Sequence, residues 1–256
     1  MIEGVNMSSV HAVWARHRDV WLKRWGTYLI PPIIEPLLYL GAFGFGLGTF
    51  IGEIEGMSYA RFIAPALIAV TIMNTSFTEA TYGAFVRMYY QRTWESLAST
   101  PCSKLDVMVG ELAWAATKAM VNAMIMSIII VAFGLMTPWS LIWMPLLAIP
   151  IGLAFAGLGM IVTAYTPSID FIILPFSLFI YPMFLFAGTF FPVSALPEAG
   201  QWIAMCVPLT HATVLTRAAG LGMWTVDVWI SAAYIAAMVI ITVVLGTRLA
   251  QRRIMR

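Results

Sequence analysis

Long apolar runs, separated by short clusters of charge, divide this 256-residue chain into segments of membrane-spanning length. A hydrocarbon core about 30 Å thick takes about 20 mostly apolar residues per helix. Six stretches qualify: Tyr28–Phe50, Phe62–Gly83, Val109–Met136, Leu141–Ala164, Phe171–Phe190 and Val228–Gly246. Pro36, Pro65, Pro145, Pro150, Pro175 and Pro182 fall inside them. A membrane helix tolerates proline because neighbours satisfy the freed carbonyls. The spacing therefore predicts an all-α integral membrane fold with six transmembrane helices, an even number that puts both ends on one side.

Three segments outside the spans carry their own patterns. Residues 1–26 contain "HAVWARHRDVWLKRWG", where Trp14, Trp21 and Trp25 fall at i, i+7 and i+11 on one helical face. That arrangement predicts an amphipathic helix lying in the membrane interface, its apolar face in lipid; the plainer reading is a basic flank that sets topology. Between spans two and three, "RMYYQRTWESLASTPCSKLDVMVGEL" is the longest polar interruption. Arg87 to Thr100 is helix-compatible, with Arg92 and Glu95 at i, i+3, and Pro101 ends it. A knob for docking a soluble partner and a solvated connecting loop both fit. From Thr189 to Asp227 the chain is too apolar for a free loop, and Pro192, Pro197 and Pro208 cut it into pieces too short to cross. Two short helices dipping into the outer leaflet, buried against protein, satisfy both constraints.

Composition narrows the class. Hydrophobic residues make up 61% and charged residues 10%, against about 25% charged in ordinary soluble domains. Cys102 and Cys206 are too few for a disulfide framework. The residues before Gly26 are amphipathic, with Arg16, Arg18, Lys23 and Arg24 spread among them, unlike a cleavable signal; the chain is expected to insert as it stands. With a cytoplasmic N-terminus, the inner segments hold those four cations, then Arg87, Arg92 and Lys104, then Arg248, Arg252, Arg253 and Arg256. The outer segments hold only Arg61 and Arg217, which fits the positive-inside rule.

Candidate chemistry is sparse. His11, His17 and His211 are far apart, no cluster has metal-ligand spacing, and no G-x-S-x-G occurs. Lys23, Lys104 and Lys118 follow Leu22, Ser103 and Thr117, whereas a phosphate-binding P-loop needs glycine before its lysine. The chain therefore reads as neither an enzyme nor a nucleic-acid binder, with no metal and no cofactor of its own. Glu35, Glu79 and Lys118 lie inside spans, where a lone charge costs at least about 2.5–3.5 kcal/mol. All three fall roughly 10–12 Å from the cytoplasmic ends. We expect Lys118 to pair with Glu79 and Glu35 to approach the same layer. A structural ion pair and an ion relay both use such a layer, and the relay makes an ion-coupled secondary transporter the alternative function. Gly44-xxx-Gly48 and the Ala148, Gly152, Ala156 stripe mark close helix contacts. Tyr181, Phe184, Phe186, Phe190 and Phe191 either line a path for an amphiphile or form lipid-facing bulk and an aromatic belt.

Several blocks, in order, resemble the type-2 ABC-transporter permease family: "EPLLYLGAFGFGLG", "QRTWESLASTPCSKLDVMVGELAWAATKAM", "GLAFAGLGMIVTAYTPSIDF", "PMFLFAGTFFPVSALPE" and "PLTHATVLTRA". The likeness runs from the N-terminal amphipathic region to about Gly222. It implies a permease that dimerises with itself and binds two copies of a separate ATP-binding subunit, which holds ATP and magnesium. By the same resemblance residues 1–26 are an interface helix and residues 27–256 the transmembrane domain. Arg87, Arg92, Thr93, Trp94, Glu95, Ser99, Thr100 and Pro101, within a coupling region of about 87–104, form a cytoplasmic coupling helix. Pro208, Leu209, Thr210 and His211 belong to an outer re-entrant hairpin at about 189–226. The implied activity is export of an amphiphilic or lipid-linked substrate (lipo-oligosaccharide, polysaccharide-lipid or hydrophobic drug) across the bacterial inner membrane, with both termini cytoplasmic.

Overall fold

The computed structural model describes residues 5–254; Arg256, counted above among the inner cations, lies outside them. Among the described residues, six helices are long and apolar enough to cross a membrane: α2 (Trp25–Ile51), α3 (Tyr59–Tyr90), α5 (Lys104–Ala132), α6 (Ser140–Tyr165), α7 (Ile169–Phe186) and α10 (Val226–Arg253). Shorter helices join or flank them: α1 (Met7–Leu22), α4 (Thr93–Ala98), α8 (Glu198–Cys206) and α9 (Pro208–Leu221). A two-residue-per-strand hairpin, β1 (Glu53–Ile54) with β2 (Met57–Ser58), turns α2 into α3.

The centre is α3, flanked by α5 and α6: 83% of its most apolar window is buried, against 12% for α2 and 11% for α7. Lipid tails are as apolar as leucine, so close packing rather than water exclusion holds such helices together. Both small-residue stripes serve contacts within the chain. A Cβ on Gly44 would meet that of Ala60 at 3.2 Å, and one on Gly152 would lie 3.3 Å from Ala119 Cβ. These stripes bring α2 onto α3 and α6 onto α5.

Local chemistry explains how α1 and α5 start. Ser103 Oγ accepts from Asp106 N at 3.1 Å, and Asp106 Oδ2 accepts from Ser103 N at 3.0 Å, a capping box that opens α5. Asp106 Oδ1 also accepts from Asn6 N at 2.8 Å, while Asn6 Oδ1 caps α1 through Ser8 N. One aspartate thus ties the beginnings of two helices. Val13, Trp94, Met108 and Ala250 share one buried cluster, so α1, α4 and the last turns of α10 gather at one end. At the opposite end α8 and α9 pack back on the bundle, where Thr137 N donates to Gly220 O at 3.0 Å.

Some expectations shift. The N-terminal helix stops at Leu22 and Trp25 begins α2, so the three tryptophans do not share a helix. Val10 and Val13 are buried, Val13 against Gly110 of α5, so this face meets protein rather than lipid. The second and third spans extend further than their apolar runs, to Tyr90 and back to Lys104. Arg87 therefore lies within α3 and not in a loop. The fifth span ends at Phe186, short of Phe190 and Phe191, after a 3₁₀ start and a π-helical turn. Pro175 and Pro182 remove amide donors from this helix, which accounts for its irregularity.

Candidate coupling site at the charged end

Three helices place titratable side chains in one buried cluster, and a fourth adds an indole donor. From α3 come Glu79, which opens a π-helical segment, and Arg87, in a second such segment. From α5 come Glu111 and Lys118, from α4 Trp94, and from α1 His17. Arg87 is the hub: Nη1 donates to Glu79 Oε1 at 2.7 Å, and Nη2 and Nε donate to Glu111 Oε2 at 2.6 and 3.0 Å. Lys118 Nζ donates to the other Glu79 oxygen at 2.7 Å. Trp94 Nε1 donates to Glu111 Oε1 at 2.8 Å. His17 Nε2 stands 3.2 Å from the same oxygen, close but without hydrogen-bond alignment.

Two carboxylates face two fixed cations, so the cluster is neutral before any charge on His17 is counted. Burial makes the pairing obligatory: the Glu111 side chain is 1% exposed and that of Arg87 13%. A planar guanidinium fork matches carboxylate geometry bidentately, which a point-charge ammonium does not. Mechanically, the cluster binds α4 to the α3–α5 pair. Beside it a cavity of about 300 Å³ opens among α1, α2, α3 and α5, lined in part by Arg16, Trp21, Tyr28, Tyr82, Trp114 and Lys118.

The expected Glu79–Lys118 pair is present. Glu35 does not join it: among the described residues it makes no ion pair or side-chain hydrogen bond with the cluster, and its helix is one of the two least packed spans. The residues assigned to coupling divide into two groups. Thr93 and Trp94 are buried and Arg87 is half-buried within the chain, whereas Arg92, Glu95, Ser99, Thr100 and Pro101 are exposed. Glu111 and His17 were not singled out by sequence reasoning as partners.

At the other end, Phe184 and Phe190 have ring centroids 4.9 Å apart, and Tyr39 and Phe43 of α2 pack onto them. Phe191 is half-buried, while Tyr181 and Phe186 are exposed. Pro208 opens α9, Leu209 and Thr210 are buried, and His211 joins α8 to α10. Its Nδ1 is 3.0 Å from Ser231 Oγ, its Nε2 is 2.9 Å from Met205 O, and its ring stacks on Tyr234. Arg217 donates to Gly188 O at 2.6 Å and lies 3.9 Å over the Phe62 ring. Burial pushes this guanidinium down to about 10, partly opposed by Glu55.

Residues 8–221 match the model of the ABC-2 type transporter family. The chain is 39% identical to nodulation protein J of Rhizobium leguminosarum bv. viciae over 247 residues, covering 96% of this chain and 95% of that protein. It is 37% identical to nodulation protein J of Rhizobium meliloti (strain 1021) over 246 residues, 95% and 93% of the two chains. To the inner membrane transport permease YadH of Escherichia coli (strain K12) it is 22% identical over 203 residues, 79% of each.

Proposed function

The chain belongs to the ABC-2 type transporter family, and on that premise we propose that it is the permease half of an ATP-driven exporter. That it is a multi-pass membrane permease follows from the family and the six spans. The finer reading is ours. Two copies of the permease bind two copies of a separate ATP-binding subunit, which holds ATP and magnesium. The complex moves an amphiphilic or lipid-linked substrate, of the lipo-oligosaccharide, polysaccharide-lipid or hydrophobic drug class, out across the bacterial inner membrane. Residues 1–26 form an interface element, residues 27–256 the transmembrane domain, and both termini face the cytoplasm.

The observation that carries this reading is the construction of α4. It is a six-residue helix whose inner side is locked by Trp94 onto Glu111 and, through that carboxylate, onto Arg87 of α3. Its outer side presents Arg92, Glu95, Ser99 and Thr100. A push on the outer side is therefore delivered directly to two spans. The ion-coupled alternative gains no support, since Glu79 is held by two cations and Glu35 stands apart.

The test is capture of the candidate ATP-binding subunit by the detergent-solubilised permease. Arg92→Ala/Glu95→Ala is expected to abolish capture while leaving the melting temperature unchanged. A folded wild-type permease that captures no such subunit would remove the exporter assignment.

A further inference from the structure

A second, larger cavity lies beside α4, with Trp94 in its wall. About 770 Å³ in volume, it is bounded by the ends of α3, α6 and α10 together with α4, and its lining includes Tyr89, Arg92, Glu95, Tyr165, Arg252 and Arg253. Three guanidinium groups from distant parts of the sequence thus converge on one space that holds a single carboxylate. Arg253 is held ready: its Nη1 donates to Thr163 O of α6 at 2.6 Å, and its Cζ lies 5.7 Å from the Phe85 ring centroid. Among the described residues, Arg92 and Arg252 form no ion pair and donate no side-chain hydrogen bond, and both are exposed. Arg92 also takes a left-handed backbone, φ 48°, a conformation that costs a non-glycine residue free energy and persists only where its surroundings impose it. Like charges gathered in a cleft repel unless an anion joins them.

The height of the cavity identifies the anion. Tyr89 and Tyr165 stand in its wall at the ends of two spans, 59% and 68% exposed. Exposed tyrosines at span ends mark the headgroup layer. Basic pockets between transmembrane helices on the cytoplasmic side take anionic headgroups, and the arginine fork suits phosphate. We propose that this cavity binds the phosphate of an anionic lipid headgroup. The site lies beside α4, so a bound lipid would brace the helix without taking part in ATP hydrolysis. The inference rests on the proposed cytoplasmic placement of this end and shares Arg92 with the proposed docking surface.

Native mass spectrometry of the full-length chain in non-ionic detergent tests it, with separate titrations of phosphatidylglycerol, phosphatidylcholine and inorganic phosphate. We expect selective retention of phosphatidylglycerol, weakened about fivefold by Arg252→Gln and about 30-fold by Arg92→Gln/Arg252→Gln. Arg252→Lys, which keeps the charge but not the fork, is expected to fall between wild type and Arg252→Gln, and an unchanged melting temperature in each variant separates loss of the site from loss of the fold. Equal retention of the two lipids, or equal retention by wild type and the double variant, overturns the site. Displacement by inorganic phosphate at matching affinity assigns the cavity to a soluble anion and overturns the lipid. Unchanged lipid binding in a double variant that has lost capture of an ATP-binding subunit makes the cavity a protein-docking notch instead.

Discussion

Arg87 is the side chain whose loss matters most for the charged end, because two carboxylates depend on it. Arg87→Met leaves Glu111 with no fixed cation and Glu79 with only Lys118. Removing one partner of a buried ion pair costs about 3–5 kcal/mol, so a large fall in thermal stability in detergent is expected. In a Glu111→Gln background the same substitution should cost much less, since the neutral amide needs no counter-charge. Equal losses in both backgrounds would mean that the pair carries no net coupling. Lys118→Met should be milder, because the ammonium is 22% exposed and water can replace part of its role. Part of this network was legible in advance. Thr75 with Asn122, Glu79 with Lys118 and Arg87 with Glu111 are each centred within a residue of Ala98–Ser99. In an antiparallel helix pair, residues equally distant from the turn lie at one level. His17 offered no such signal, since nothing local to α1 says which helix it will meet.

Among the helices, α1 gives the sharpest case of a contact that shapes an element's role. Its Val13 packs where Gly110 has no side chain: a Cβ there would lie 2.7 Å from Val13 Cβ. Asn6 N on Asp106 and Trp14 Nε1 on Thr117 Oγ1, at 3.0 Å, fasten its length to α5. Gly110→Val should therefore lift α1, at a cost of about 1–3 kcal/mol for overpacking. Trypsin cleavage at Arg16, Arg18 or Lys23 reads that displacement, and Val13→Ala should restore protection in part. Cleavage no faster than in wild type would show that α1 is not held by this contact. The amphipathic pattern identified a helix here but not the surface beneath it, because lipid and a protein groove both accept an apolar face.

For the assembled permease, the least covered helices are α2 and α7, joined to each other by Tyr39 and Phe184. Their outer surfaces are the least covered in the bundle, and we propose them as the face for a second copy. In a Cys102→Ser/Cys206→Ser background, Leu178→Cys on α7 should cross-link between copies in native membranes. Ile240→Cys on α10, equally exposed at 66%, should not. Cross-linking at both positions or at neither would remove this face as the dimer seam. The small-residue stripes are no part of that face, since they are occupied within the chain, at Ala60 and Ala119.

The membrane class, the six spans and the short helix at the polar interruption all follow from local properties: an apolar run as long as a bilayer is thick, proline placement, and the distribution of arginine and lysine. These read directly from sequence because each depends on residues near one another or on their relation to lipid. Which side of α4 faces inward, that Arg87 rather than Lys118 is the hub, that Glu35 stands apart, and that Arg92 meets Arg252 across a cavity depend on how helices rotate and pack. Separations such as those between His17 and Glu111, or Arg92 and Arg252, leave no periodic trace in the chain. They arise only when packing chooses one face of each helix over the others.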